Sequence, residues 1–339
     1  PWNRPWIATL PDYRLMQTIL RVHQAYLILI VLLIACSPVQ ASSIRIAIIS
    51  DLNESYGSTE YRSNVTRAIQ RIIELKPALV LSTGDMVAGQ RLHPLLTRPK
   101  LDAMWKSFHH SVSNPLSYAN IPLAVTPGNH DASAYASFTL EREIYNEQWQ
   151  ARKPELQYID DDHYPFYYAF SAGETLFVSL DATRVGHLPV DQKSWLEKLL
   201  KVNGEQYKQR VVFGHLPLWP YAVGREKDIL GDHELEDILQ QGNVDIFLNG
   251  HHHAYYPGYK QGISYISQAC LGAGPRRLLG AQKKSKRSIT IIEFVSDGSY
   301  KIEALSEPNF TTAVDIKELP ERINTKWAEI IRQDLATDQ

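Results

Sequence analysis

A layered α/β domain with mixed sheets is the fold class this chain predicts, and three observations predict it. From Ile44 onward, short runs rich in isoleucine, valine and leucine alternate with segments of helical periodicity. The apolar runs are continuous, as in strands buried on both faces. Several of them end on carboxylate, amide or imidazole side chains, often beside glycine.

Residues 44–50 are the first strand expected. Val65, Ala68, Ile69, Ile72 and Ile73 then share one helical face, with Ser58 or Thr59 as the cap. Residues 78–82 and 121–125 are the next strands, and 175–180, 210–213 and 244–248 continue the series. Asp191 is placed as the cap of a helix carrying Trp195, Leu196, Leu199 and Leu200. Residues 263–267, 288–294 and 300–304 read as closely spaced strands. Residues 319–339 read as an amphipathic helix, so 307–339 is expected as a helical extension after a domain over 42–306. Two aromatic-rich intervals, 86–120 and 132–170, separate motif-bearing strands, and local packing is expected of most of their aromatics.

With 339 residues, 44% of them hydrophobic, the chain is long enough to bury a sizeable core. A formal charge of −2 gives no electrostatic footprint for a nucleic-acid partner. The run Lys283-Lys284-Ser285-Lys286-Arg287 reads as a solvated loop. Residues 1–41 read as a leader. The apolar stretch 25–35 is short for a membrane span but suits an export signal, with Met16 as the initiator. Leu33-Ile34-Ala35-Cys36 resembles a bacterial lipobox, and Val39-Gln40-Ala41 offers a second cleavage site. Export as a periplasmic or membrane-anchored lipoprotein is therefore expected, with soluble secretion as the alternative. Once Cys36 is removed or lipidated, Cys270 stands alone as a buried structural thiol.

The chemistry lies in five clusters: Asp51-Leu52-Asn53, Gly84-Asp85, Gly128-Asn129-His130-Asp131, Gly214-His215 and Gly250-His251-His252-His253. Alone, each has an innocent reading as a turn, with Gly128 supplying backbone freedom. Together they deliver mixed carboxylate, amide and imidazole donors to strand ends, where side chains distant in sequence meet. Such a set suits divalent cations.

In these clusters and their order the chain resembles the calcineurin-like metallophosphoesterase superfamily, in the branch of the purple acid phosphatases. The resemblance covers residues 44–304 and implies a four-layer αββα sandwich of two mixed sheets flanked by helices. It implies that Asp85 bridges two metals, with Asp51 and His253 on the first and Asn129, His215 and His251 on the second. His130 is implied to protonate the leaving oxygen, and His252 occupies a variable position without a role. Asn129 and His130 are also expected to meet the substrate phosphate. Arg276, beyond Gly272 and Pro275, is expected to aim a guanidinium at the same anion. Catalysis is then hydrolysis of a small-molecule phosphate ester by a hydroxide bridging two divalent ions.

The chain departs from the family at Asn53, where most relatives place histidine. A neutral amide oxygen is a harder donor than imidazole, so manganese, magnesium or iron(II) is favoured over zinc. Purple acid phosphatases place a tyrosine three residues after the Gly-Asp aspartate; here that residue is Ala88. A tyrosine-ligated ferric centre is accordingly not expected. Phosphomonoesterase activity is the first expectation. The rivals are a phosphodiesterase of the same superfamily and a non-catalytic metal- or ligand-binding relative, whose one support is Asn53.

Overall fold

The computed structural model describes residues 43–272 and 274–336. The leader expected over 1–41, with its apolar stretch and Cys36, lies outside the described residues. Among those described, no helix is long and apolar enough to cross a membrane.

The strands form two mixed sheets. β1 (Ile44–Ile49), β2 (Leu79–Ser82) and β3 (Leu123–Val125) lie parallel in the first. The second holds β4 (Gln157–Asp160), β5 (Tyr168–Ala172), β6 (Thr175–Ser179), β7 (Gln209–Phe213), β8 (Ile246–Asn249), β9 (Tyr256–Lys260) and β10 (Ile263–Ser267). Next, β11 (Ser288–Phe294), β12 (Tyr300–Ser306) and β13 (Thr312–Ala313) return to the first sheet. Finally, β14 (Arg322–Asn324) and β15 (Glu329–Arg332) close the edge of the second. The orders are β13-β12-β11-β1-β2-β3 and β14-β15-β9-β10-β8-β7-β6-β5-β4.

Side-chain alternation explains the layering. In β7, Val211 and Phe213 join the core shared with the first sheet, while Val212 points into a second core. β8 repeats this with Ile246 and Leu248 against Phe247. The sheets meet face to face, as where Phe177 of β6 packs edge-on against Phe294 of β11 at 5.9 Å. Helix α1 (Ser63–Leu75) buries Val65, Ala68, Ile69 and Ile72 in the first core. Helices α2 (Arg98–Phe108) and α3 (Thr139–Gln150) add Trp105, Phe108, Tyr145 and Trp149 to it. Helices α4 (Val190–Asn203) and α5 (His233–Gln241) cover the other side of the second sheet through Leu196, Leu199 and Leu235. Each buried valine, leucine, isoleucine or phenylalanine among them contributes about 1.5–3 kcal/mol relative to exposure. The result is the expected four-layer arrangement.

Three local expectations are corrected. Helix α1 begins after Arg62, and Ser58 instead accepts from the Glu60 amide at 3.1 Å in its own turn. Asp191 lies inside the first turn of α4 rather than before it, and Pro189 takes the cap position. The largest correction is the C-terminal region, whose described residues form short strands and two single 3-10 turns, Ile316–Glu318 and Gln333–Leu335, in place of an amphipathic helix. Residues 322–332 form a hairpin with Ile323 opposite Ile330, and β15 pairs with β9 at Tyr259 and Gly258. Thr325 makes the turn, its Oγ1 accepting from the amides of Trp327 and Ala328. Ile323, Trp327 and Ile330 do fit a helical period. The open backbone edge of β9 overrides it, because pairing satisfies N–H and C=O groups on both strands. The sheets therefore continue past residue 306.

Candidate metal centre

Parallel strands β1, β2 and β3 in one sheet and β7 and β8 in the other end at one place, and the five clusters follow those ends. Asp51 follows β1, Asp85 follows β2, Asn129 and His130 follow β3, His215 follows β7, and His251 and His253 follow β8. Asp51 donates its amide to the Gly84 carbonyl at 3.0 Å, and the amides of Leu52 and Asn53 donate to the Asp85 carbonyl. The first two loops are thereby stitched together.

The turns are tight. Asp51, Asp85, His251 and His253 adopt φ of 50°, 56°, 64° and 52°. Non-glycine residues hold that region at a cost of about 1–3 kcal/mol each, and such strain concentrates at functional sites. Gly128 has an ordinary φ of −94°, so backbone freedom is not its contribution. What it supplies is room: a Cβ there would stand 2.0 Å from the Asp85 nitrogen. At Gly250 a Cβ would stand 2.1 Å from Ser50 Oγ.

Two groups of donors share one carboxylate. Asp51, Asp85 and His253 bring ligand atoms within 4.8 Å of one another, and so do Asp85, His215 and His251. Within the first group, His253 Nε2 lies 3.0 Å from Asp51 Oδ1. Within the second, His215 Nε2 lies 3.3 Å from Asp85 Oδ2, 2.9 Å from Asn129 Oδ1 and 3.3 Å from His251 Nδ1.

Hydrogen bonds behind the rings fix which atoms face inward. The Nδ1 atoms of His215, His253 and His130 donate to the carbonyls of Thr83, Gly274 and Gly89 at 2.8, 3.0 and 2.9 Å. Their Nε2 atoms are left for the site. Asn129 Nδ2 donates to Gln90 Oε1 at 2.7 Å, which turns the amide oxygen inward. Gln90 is itself held by Glu141, whose Oε2 accepts from its amide at 2.8 Å. Burial pushes the Glu141 carboxyl up to about 7. Asp131 braces the loops by accepting from the amides of Met86, Val87 and Gly128.

The electrostatics call for positive charge. Burial opposes ionisation of Asp51 and Asp85, yet the facing histidines hold both below the usual carboxylate range. Burial also opposes protonation of His215 and His253, but Asp85 and Asp51 carry them up to about 9 and about 10. Burial, with repulsion from neighbouring histidines, pushes His251 well below its ordinary value, and among the described residues its Nε2 is buried without a partner. Buried carboxylates that draw protons onto adjacent imidazoles, with one imidazole left neutral, form a donor set that fits divalent cations.

A cavity of about 200 Å³ opens over Asp85, Asn129, His130, His251 and His253. His130 Nε2 stands 3.8 Å from Asp85 Oδ2, and its ring lies 5.2 Å from that of Tyr56. Arg276 reaches the cavity wall and donates to the His251 carbonyl at 2.7 Å. Asn53 is buried beside Asp51, but no described residue bonds its side chain and it is not on the cavity wall. Ala88 is buried where the purple acid phosphatases place tyrosine, and its carbonyl accepts from Gly57. Arg62 pairs with Glu54 at 2.5 Å, away from the cavity. Asp181 anchors a loop, bound by Arg142 at 2.6 Å and by Thr183 at 2.9 Å.

Sequence reasoning missed Gln90, Thr183, Arg225 and Asp228 on the cavity wall, and Tyr135, in an aromatic-rich interval where local packing is the expectation, lines it too. No motif surrounds them. The one local sign was Gly224 before Arg225, an ordinary turn signal.

Residues 44–255 match the family described as Calcineurin-like phosphoesterase. The chain is 27% identical to purple acid phosphatase 15 of Arabidopsis thaliana over 231 residues, covering 62% of this chain and 40% of that protein. It spans less than half the length of the curated relatives it matches. Its fold is similar to that of a purple acid phosphatase from yellow lupin (Lupinus luteus) seeds, with a TM-score of 0.59 at 17% identity over 79% of this chain and 52% of that one. A dimetal phosphatase from Danio rerio gives a TM-score of 0.50 at 16% identity, covering 76% of this chain and 98% of that one.

Proposed function

The chain belongs to the calcineurin-like phosphoesterase family, and from that premise we propose that it is a metal-dependent phosphomonoesterase. The observation that carries this reading is the position of Asp85, shared by both donor groups with His130 3.8 Å away.

In this reading Asp51, Asp85 and His253 hold one divalent ion, with Asn53 beside them. Asp85, Asn129, His215 and His251 hold the other. When bound, the ions supply positive charge to the phosphoryl oxygens and acidify water at neutral pH. The chain's own groups do the rest. Gln90 and Glu141 keep the Asn129 oxygen aimed inward. The bond from His130 Nδ1 to Gly89 orients Nε2 to give a proton to the departing oxygen. Arg276, tied to the His251 carbonyl, offers its remaining N–H groups to the phosphate. The small cavity, about 200 Å³, supports a monoester over a diester, since it suits one phosphoryl group that carries a single ester substituent. Export as a lipoprotein or secreted protein is part of the proposal and rests on the sequence of the leader: the apolar stretch 25–35, the lipobox-like Leu33-Ile34-Ala35-Cys36 and the alternative site Val39-Gln40-Ala41.

The test is a metal-by-substrate activity matrix on protein lacking residues 1–41, with manganese, magnesium, iron(II) and zinc against mono- and diester model substrates. Asp85→Ala is expected to lose both metal equivalents and at least about 10⁴-fold in activity. Absence of turnover on every monoester rejects the reading; turnover on diesters alone replaces it with phosphodiesterase.

A further inference from the structure

His252 stands between two of the candidate ligands, and its side chain points elsewhere. The residue is fully buried. Its Nδ1 accepts from the amides of Tyr221 and Ala222 at 3.1 and 3.4 Å, and its Nε2 donates to the Asp228 carbonyl at 3.0 Å. Those partners belong to opposite arms of one loop, whose base is closed where Leu230 donates to Pro217 and Gly231 to Leu218. A single imidazole thus spans the neck of the loop, with both ring nitrogens engaged.

At the tip of that loop is Arg225, on the wall of the catalytic cavity. Its Nη1 pairs with Asp228 at 2.6 Å, and among the described residues the other N–H groups of its guanidinium have no partner. Arg276 lines the same cavity and is also only partly engaged, through Nη1 to the His251 carbonyl. The Arg276 amide donates to the His253 carbonyl at 3.2 Å. The Gly250-His251-His252-His253 segment therefore carries both arginines: its carbonyls hold Arg276, and the His252 ring holds the Arg225 loop. The loop also pairs with the Arg276 segment, Val223 donating to Arg277 and Leu279 to Tyr221.

We propose that Arg225 and Arg276 form a clamp for the phosphate dianion, and that His252 is the positioning residue that sets Arg225 in it. Two guanidinium groups with free donors on one wall suit the doubly charged, multiply accepting oxygens of a monoester or of inorganic phosphate. The singly charged diester gains less. This proposal rests on the phosphomonoesterase reading for its substrate class, but phosphate binding tests it without turnover.

The experiment measures inorganic phosphate binding by calorimetry on the metal-loaded protein, together with KM and kcat for a monoester. Arg225→Ala is expected to weaken phosphate binding and raise KM roughly tenfold or more, with a much smaller change in kcat and no loss of metal. His252→Phe, which removes the staple, is expected to reproduce that pattern. His252→Gln, whose amide can both accept and donate, is expected to restore most of the affinity. The double variant Arg225→Ala/His252→Phe should be no worse than either single one. Unchanged phosphate affinity in Arg225→Ala overturns the clamp, and so does wild-type protein that binds no phosphate. Additive losses in the double variant, or metal loss in His252→Phe, overturn the positioning role. A chain that binds phosphate through Arg225 but hydrolyses no monoester would sink the functional reading and leave the clamp standing.

Discussion

His215 and His253, at the strand ends, and His109, where α2 approaches α3, are all nearly inaccessible to solvent, yet they hold their protons oppositely. His215 and His253 face Asp85 and Asp51 and are carried up to about 9 and about 10 against the cost of burial. His109 packs on Trp105 and Trp149, and its ring nitrogens hydrogen-bond to neutral groups, Ser113 Oγ at Nδ1 and Gln148 Oε1 at Nε2. Burial, with Arg152 adding repulsion, pushes it down to about 4. Burial alone therefore does not set the charge; the neighbouring carboxylate does. One region is built to attract cations, the other to exclude them.

His130 tests where the first class ends. It is half-buried and its Nε2 is 3.8 Å from Asp85, farther than that of His215. If it serves the leaving group, His130→Ala keeps both metal equivalents and loses about 10²–10⁴-fold in kcat. The loss should shrink for esters with more acidic leaving groups, which need less help from a proton. Metal analysis beside kinetics on a series of aryl phosphates reads both. Loss of a metal equivalent would instead place His130 among the ligands.

The second class is tested by pH. Unfolded His109 titrates near 6.5, and the folded residue near 4. Between those values the unfolded chain binds more protons, so stability is fully present above about 6.5 and declines as pH falls toward 4. The loss approaches about 3 kcal/mol at its end. In His109→Gln that contribution disappears. Urea unfolding of metal-free protein at several pH values should show a flatter dependence below 6.5 for the variant than for the wild type. Parallel curves would mean that His109 is not held neutral.

These contrasts were unevenly legible in the sequence. Asp51, Asp85, Asn129, His215, His251 and His253 could be read as one constellation because each stands just past an apolar run and because their order resembles that of a known family; their parts in holding metal are the proposal. His109 could not be told from any other histidine, since its partners Ser113 and Gln148 come from different turns and its walls are tryptophans supplied by two helices. Gln90 and Arg225 were silent for a similar reason: their roles are set by contacts with Asn129 and with the loop that His252 holds. The hairpin at 322–332 was misread as a helix because its isoleucines satisfy both periods, and only the free edge of β9 decides between them.

Asn53 offers the smallest and most discriminating perturbation, because it lets a histidine be added to the first class. It follows Asp51 by two residues and is buried. If that side chain reaches the first donor group, a histidine there would add a borderline nitrogen donor to it. An amide oxygen is harder and neutral, so the native residue should lean toward manganese or magnesium. Asn53→His is expected to move the zinc-over-manganese preference by about tenfold, some 1.4 kcal/mol, with little change at the second group. Competition between the two metals, read by metal analysis of the recovered protein, measures this directly. An unchanged preference would mean that the side chain at position 53 takes no part in holding the first ion, and that Asp51, Asp85 and His253 set its selectivity by themselves.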